Sequence, residues 1–261
     1  MLECVVNVSE GRDDHVVERL RAAAGTDLLD LHRDRHHHRS VLTLAGEDGA
    51  RRVAAEAVAT IDLRHHDGVH PRIGAVDVVP FVPLGPATMA DAVGARDRFC
   101  AWAADELALP CFRYGPERSL PDIRRRAFVD LPPDCGPGQP HPTAGGCAVG
   151  ARGVLVAYNV WLAEPDLDRA RRVAAAVRGD GIRALGLPVG DRVQVSMNLV
   201  EPFRVGPAEA WDRVVALAPA AGAELVGLLP EAVLLAVDEA RWEVLDLSPD
   251  RTIEARLSRA G

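Results

Sequence analysis

The chain contains no lysine, so all 30 of its basic residues are arginine. That absence excludes Schiff-base catalysis, a lysine-held pyridoxal phosphate and a P-loop lysine. Cysteine is sparse as well. Cys4, Cys100, Cys111, Cys135 and Cys147 are odd in number and show no C-x-x-C spacing, which reads as reduced cytosolic thiols rather than a disulfide framework. The start, Met1-Leu2-Glu3-Cys4, lacks the positively charged region and apolar run of a leader, and nowhere do apolar residues reach the roughly 18 of a spanning helix. A cytoplasmic protein with no membrane partner is expected. Basic residues are also outnumbered, 30 against 38 acidic, and the formal charge of -8 argues against nucleic-acid binding. An anionic ligand would have to meet local arginines.

What is present is an alternation of short strand-like runs and longer helical ones across 261 residues that are 48% hydrophobic. Strands are expected at Leu2 to Val8, Leu28 to Leu31, Val41 to Ala45, Val76 to Leu84, Cys111 to Tyr114, Val154 to Val160, Arg192 to Val200, Glu224 to Leu229 and near Thr252 to Leu257. Helices are expected at about Asp13 to Ala24, Asp48 to Ile61, Met89 to Leu107, Asp166 to Val177, Ala208 to Ala218 and near Glu231 to Ala240. Pro80 and Pro83 demote the end of the 76–84 strand to an edge or exit loop. Leu131 to Gly150, dense in glycine and proline, reads as one long loop. No internal repeat stands out. The pattern predicts an α/β fold of the α+β type in two subdomains, residues 1–153 and 154–261, each a mixed β-sheet covered by α-helices, with a ligand cleft between them.

The most informative stretch is Gly68-Val69-His70-Pro71-Arg72-Ile73-Gly74-Ala75-Val76-Asp77-Val78-Val79-Pro80-Phe81. Pro71 biases His70 toward an extended conformation, and Gly68 and Gly74 permit turns that a side chain would resist. A histidine held before a buried strand can take a proton and return it within one turnover. An isolated histidine would more simply be a core residue satisfied by a carbonyl. Here Arg64 and Arg72 flank it with fixed charge suited to carboxylates, which also lowers its pKa. Asp77 either orients the imidazole or caps the strand.

Seven of the nine histidines, His32, His36, His37, His38, His65, His66 and His70, lie between residues 32 and 70. Consecutive histidines point in different directions and no H-E-x-x-H spacing appears, so no metal is expected. The loop Asp134-Cys135-Gly136-Pro137-Gly138-Gln139-Pro140-His141-Pro142-Thr143-Ala144-Gly145-Gly146 is either a connector or a ligand clamp, its glycines letting backbone amides approach a flat heterocycle. Arg124 to Arg126 read as a solvated helix face.

These segments resemble the formiminotransferase domain of the glutamate formimidoyltransferases. The resemblance is carried by Glu3-Cys4-Val5-Val6-Asn7-Val8-Ser9-Glu10-Gly11-Arg12, Leu28-Leu29-Asp30, His38-Arg39-Ser40-Val41, the G-x-H-P-R-x-G-A-x-D-V-x-P-F run around His70, Leu120-Pro121-Asp122-Ile123-Arg124, Pro133-Asp134-Cys135-Gly136-Pro137, Ala157-Tyr158-Asn159 and Val195-Ser196-Met197-Asn198-Leu199. It implies two α/β subdomains, a homodimer, His70 as the catalytic residue, and a folate-contacting loop over Gly136, Pro137, Gly138, Gln139, Pro140, His141, Pro142, Thr143, Ala144 and Gly145. Charge and the matching segments together nominate Arg39 and Arg72 for the substrate carboxylates and Asn198 as a polar contact.

The implied reaction moves the formimino group from N-formimino-L-glutamate to N5 of tetrahydrofolate, the folate being a co-substrate and no metal taking part. Formyl exchange between 5-formyltetrahydrofolate and glutamate, or folate binding without turnover, are the alternatives. The chain departs from the family pattern at three places. Arg125-Arg126-Ala127 replaces a Gly-Glu pair and longer segment, Ala144 stands where some relatives carry tryptophan, and the second half looks shortened between Val177 and Val193. The appended cyclodeaminase domain of some relatives has no counterpart, so only the transfer half of the pathway is expected.

Overall fold

The computed structural model of the chain describes residues 1–68 and 70–260 and divides into two compact units, Met1–Gly153 and Val154–Gly261. Val69, inside the histidine motif, and Gly261 lie outside the described residues. The first unit runs β1 (Leu2–Val8), α1 (Asp14–Ala24), β2 (Leu28–Asp34), β3 (Arg39–Ala45), α2 (Asp48–Thr60), β4 (Val76–Pro83), α3 (Met89–Leu107), β5 (Cys111–Tyr114), α4 (Leu120–Arg126) and β6 (Cys147–Ala151). Its sheet has the order β2-β3-β1-β4-β6-β5. The first three pairings are antiparallel, and β4-β6 and β6-β5 are parallel.

Local chemistry starts the helices. The Asp13 carboxylate accepts from the His15 and Val16 amides ahead of α1, and a Thr88–Asp91 capping box opens α3. From α3, Ala92, Ala95, Phe99, Cys100 and Ala103 recur at helical spacing and are buried as it packs on β4, β5 and β6. On the opposite face, α4 covers a smaller cluster of Val78, Phe112, Tyr114, Ile123 and Ala148.

Two expectations fail in this unit. Strand β4 is interior, between β1 and β6, despite Pro80. Its pairing with β6 runs unbroken from Val78 to Phe81, whereas on the β1 side the pairs stop at Cys4–Phe81 and resume at Asn7–Val78. Continuing that register would set Val5 against the proline, which has no N–H to give. Asn7 Nδ2 donates to the Val5 carbonyl at 2.9 Å instead. The long loop, in turn, ends early, because Cys147–Ala151 is the fully buried strand β6. Its small residues carry little strand signal, yet Gly150 is required, since it pairs with Tyr114 and a Cβ there would sit 2.1 Å from the ring's Cζ.

The second unit runs β7 (Val156–Leu162), α5 (Leu167–Val177), β8 (Ile182–Val189), β9 (Arg192–Leu199), α6 (Pro207–Val215), β10 (Ala220–Val226), α7 (Glu231–Leu235) and α8 (Ile253–Ala260). Its sheet, β10-β7-β9-β8, is antiparallel throughout rather than mixed. The β-α-β-β-α-β path from β7 to β10 has the same strand order as the path from β1 to β4, so a topological repeat exists that residue identities do not disclose.

Between Val177 and Val193, where the sequence looked shortened, stands β8. It went unread because Gly186 and Pro188 interrupt its apolar pattern, an interruption tolerated at a sheet edge. The last expected strand is helix α8. Thr252 Oγ1 accepts from the Ala255 amide at 3.2 Å, as an N-cap does, and Ile253 and Leu257 stand one helical turn apart.

Gly150→Ala should overpack the Tyr114 contact and lower stability by about 1–3 kcal/mol. Urea unfolding checks it, and an unchanged midpoint would mean the ring yields without cost.

Candidate active site

The segment from Leu63 to Ala75 is tied to both the N-terminal strand and the 136–146 loop. Ser9 donates its hydroxyl to Gly74 O at 2.7 Å and its amide to Ala75 O at 2.8 Å. From the other side, Leu63 N donates to Thr143 O, Ala75 N to Ala144 O and Gly146 N to Ile73 O, each at 2.9 Å. The crossing is closed by Gly74, where a Cβ would lie 1.8 Å from the Gly146 carbonyl oxygen. Within the loop, Arg72 donates to Gly68 O, His70 O and His66 O at 2.8–3.3 Å, so its guanidinium gathers the turn around the catalytic candidate.

His70 is half-buried, with Nδ1 2.7 Å from the Pro71 carbonyl. Asp77 is fully buried at the start of β4. One carboxylate oxygen accepts from Arg39 and Arg124, each at 2.6 Å, and the other from the Ile73 amide at 2.9 Å. Asp77's hydrogen bonds go to Arg39, Arg124 and the Ile73 amide rather than to His70, so it anchors two cations whose charges act on the ring. Arg39 is completed by Asn7 Oδ1 at 2.9 Å, and Arg124 by the Pro71 carbonyl at 2.5 Å.

Burial would raise the Asp77 carboxyl, but Arg39 and Arg124 outweigh it and hold it ionised. Burial lowers the Arg39 guanidinium, with Asp77 opposing the shift. His70 responds to the same surroundings. Desolvation first, then the charges of Arg39 and Arg124, push its imidazole from the ordinary 6.5 down to about 3.

The neighbouring histidines divide by hydrogen bonding. His37 Nδ1 lies 2.5 Å from Asp34, and its ring meets His70 edge-on at 6.2 Å between centroids. Burial would raise the Asp34 carboxyl, yet the His37 contacts hold it at about 2. His38 Nδ1 accepts from the Gly11 amide and His66 Nδ1 from the Gly68 amide. His66 Nε2 faces the His38 carbonyl at 3.2 Å and so carries hydrogen there, while His38 Nδ1 also lies 3.3 Å from the Glu10 carboxylate. The two rings stack at 4.0 Å, and burial lowers the pKa of each. His36 contacts His37 edge-on, and His65 is exposed beside Asp62. Among the described residues, no group of three or more His, Cys, Asp or Glu side chains is arranged to hold a metal ion.

In the proposed folate loop, Gly136, Pro137, Gly138, Gln139, Pro140 and Pro142 are exposed, while His141, Thr143 and Gly145 are half-buried. His141 Nδ1 accepts from the Ala144 amide at 3.1 Å and closes a tight turn. Ala144 itself is fully buried in the first unit's core. Of the nominated arginines, Arg39 stands on the Asp77 cluster and Arg72 on the loop carbonyls. Arg64 instead forks onto Asp62 in a solvent-exposed pair. Asn198 is an exposed residue of β9, in the second unit.

Sequence reading missed Arg124 and Asn7. Arg124 sits in a run of three arginines, two of which do pair with surface carboxylates, Arg125 with Asp122 and Arg126 with Asp130. Nothing local marks the first of them as different. For Asn7, the signal was available in principle, as a polar residue within an apolar strand facing a proline-bearing neighbour. The resulting arrangement sets an imidazole of lowered pKa beside two partly buried guanidiniums, suited to moving a proton near a substrate that carries negative charge.

Residues 1–152 match the family model described as formiminotransferase domain, N-terminal subdomain. The chain is 35% identical to a glutamate formimidoyltransferase of Streptococcus pyogenes, covering 97% of each, and 32% identical to one of Thermoplasma acidophilum, covering 100% of this chain and 98% of that protein. A formimidoyltransferase-cyclodeaminase of Sus scrofa is 32% identical over 90% of this chain and 51% of its own length. The chain belongs to the formiminotransferase family.

Asp77→Ala should strip both guanidiniums of their buried partner and destabilise the first unit by about 3–5 kcal/mol. Asp168→Ala, which removes an exposed pair with Arg171, is the control and should leave the urea midpoint in place. Equal, small shifts for the two variants would contradict the anchoring role.

Proposed function

We propose that this chain transfers the formimino group from N-formimino-L-glutamate to N5 of tetrahydrofolate, releasing L-glutamate and 5-formiminotetrahydrofolate. Family membership supports the reaction, and the single observation that carries the mechanism is the His70 ring held with Nδ1 on the Pro71 carbonyl, an acceptor it shares with Arg124. N5 attacks the amidine carbon, His70 Nε2 takes the proton from N5 as the tetrahedral adduct forms, and the same proton goes to the glutamate nitrogen as the carbon–nitrogen bond breaks. The ring ends as it began, so no net proton is consumed. Nε2 is the acting atom because Nδ1 faces a carbonyl and must carry hydrogen.

The arginines supply the field that a dicarboxylate donor meets. In this reading Arg39 and Arg72 receive the donor's carboxylates, Asn198 adds a polar contact, and the exposed glycine–proline stretch from Gly136 to Pro142 takes the pterin. The two compact units are the N- and C-terminal formiminotransferase subdomains. A cytoplasmic setting suits the five free thiols, and a homodimer follows from the resemblance.

His70→Ala should reduce kcat by about 100- to 10,000-fold, the usual contribution of positioned acid–base catalysis. Steady-state assay with both substrates measures it, and turnover within a few fold of the parent would remove His70 from the mechanism. The pH profile has a worked sign. The neutral ring is the active form and its pKa is lowered, so kcat/KM should hold as pH falls through 6.5, the ordinary histidine value. Donor carboxylates held at Arg39 and Arg72 offset the positive charge beside the ring and raise its basicity in the complex, so the acid limb of kcat should lie at higher pH than that of kcat/KM. An acid limb of kcat/KM at or above 6.5 would contradict this.

A further inference from the structure

His70 and Arg124 share one acceptor. The Pro71 carbonyl lies 2.7 Å from His70 Nδ1 and 2.5 Å from a terminal nitrogen of Arg124. A carbonyl oxygen only accepts, so both neighbours are donors, and the imidazole proton is confined to Nδ1. The other terminal nitrogen of Arg124 donates to Asp77 at 2.6 Å, and Asp77 is held in turn by Arg39 and the Ile73 amide. The planar guanidinium thus spans a buried carboxylate and a loop carbonyl, and cannot rotate without breaking one of the two. Its backbone is fixed as well. Arg124 lies in the last turn of α4, next to the fully buried Ile123.

We infer that Arg124 is a positioning residue for His70, acting through the Pro71 carbonyl to fix the tautomer and orientation of the imidazole so that Nε2 is the atom presented to substrate. This rests on the reading of His70 as the proton-transfer group. Arg124 also contributes charge. The charged groups facing the ring are Arg39, Asp77 and Arg124, with Arg72 on the His70 carbonyl and the His37 ring edge-on. Glutamine at 124 removes both the charge and the planar span, whereas lysine keeps a point charge but not the span.

The test uses the full chain with Arg124→Gln, Arg124→Lys and His70→Ala, assayed with both substrates, together with nitrogen-15 imidazole NMR of the substrate-free protein. For Arg124→Gln, kcat should fall by about 10- to 100-fold, the scale of a small misplacement of a reacting group, with both KM values within about threefold. Its acid limb should move upward, because one cation has left the ring. Arg124→Lys should keep the limb in place without restoring full kcat. In the NMR spectrum the parent His70 should be the Nδ1–H tautomer, and both variants should show a mixture.

An Arg124→Gln protein with parental kcat, limb and tautomer, while His70→Ala is inactive, overturns the inference and spares the reading of His70. A shifted tautomer with an active His70→Ala protein does the reverse, leaving Arg124 to orient a ring the reaction does not use. Should Arg124→Gln fail to fold, Arg124→Lys alone decides: parental kcat and a single Nδ1–H tautomer overturn the inference.

Discussion

The first unit is organised around a buried negative charge. Asp77 has no exposed surface, and an isolated carboxylate there would incur a large desolvation penalty. Two guanidiniums and one backbone amide remove that penalty, and each comes from a different part of the fold: Arg39 from β3, Arg124 from α4 and the Ile73 amide from the histidine loop. Because the carboxylate must be satisfied, these three parts are fixed relative to one another. The loop bearing His70 is therefore held by a constraint that originates in the core.

A second constraint feeds into the first. Pro80 in an interior strand leaves the Val5 carbonyl without its ladder donor, and the Asn7 side chain supplies one. Asn7 then uses its own oxygen to orient Arg39. A defect in the sheet and the electrostatics of the site are thus joined by one amide. The same economy appears at the loop crossing, where Gly74 lets one backbone lie directly on another and so brings the 136–146 segment beside the histidine turn.

The crowd of histidines also resolves into distinct chemistry. His38 and His66 accept backbone amides at Nδ1 and stack on one another, which makes them structural rings of the turn. His70 has the opposite tautomer, donating from Nδ1 to a carbonyl. Its Nε2 is then the basic atom. One residue type in one short segment performs different tasks according to which backbone group each ring meets.

Much was legible in the residues alone. The order of strands and helices followed from hydrophobic period and capping residues, and the Gly-x-His-Pro-Arg pattern marked the catalytic candidate, because proline and glycine restrict the backbone locally and leave that restriction in the sequence. Strand β6, strand β8 and helix α8 were misread where small residues, an edge proline or a short apolar pair gave weak local signals. Arg124 was read as a solvated face, and Asp77 was left with two open roles. Their function is decided by which charges meet across α4, β3 and β4, and such pairings between distant segments are settled only when the chain packs and water leaves.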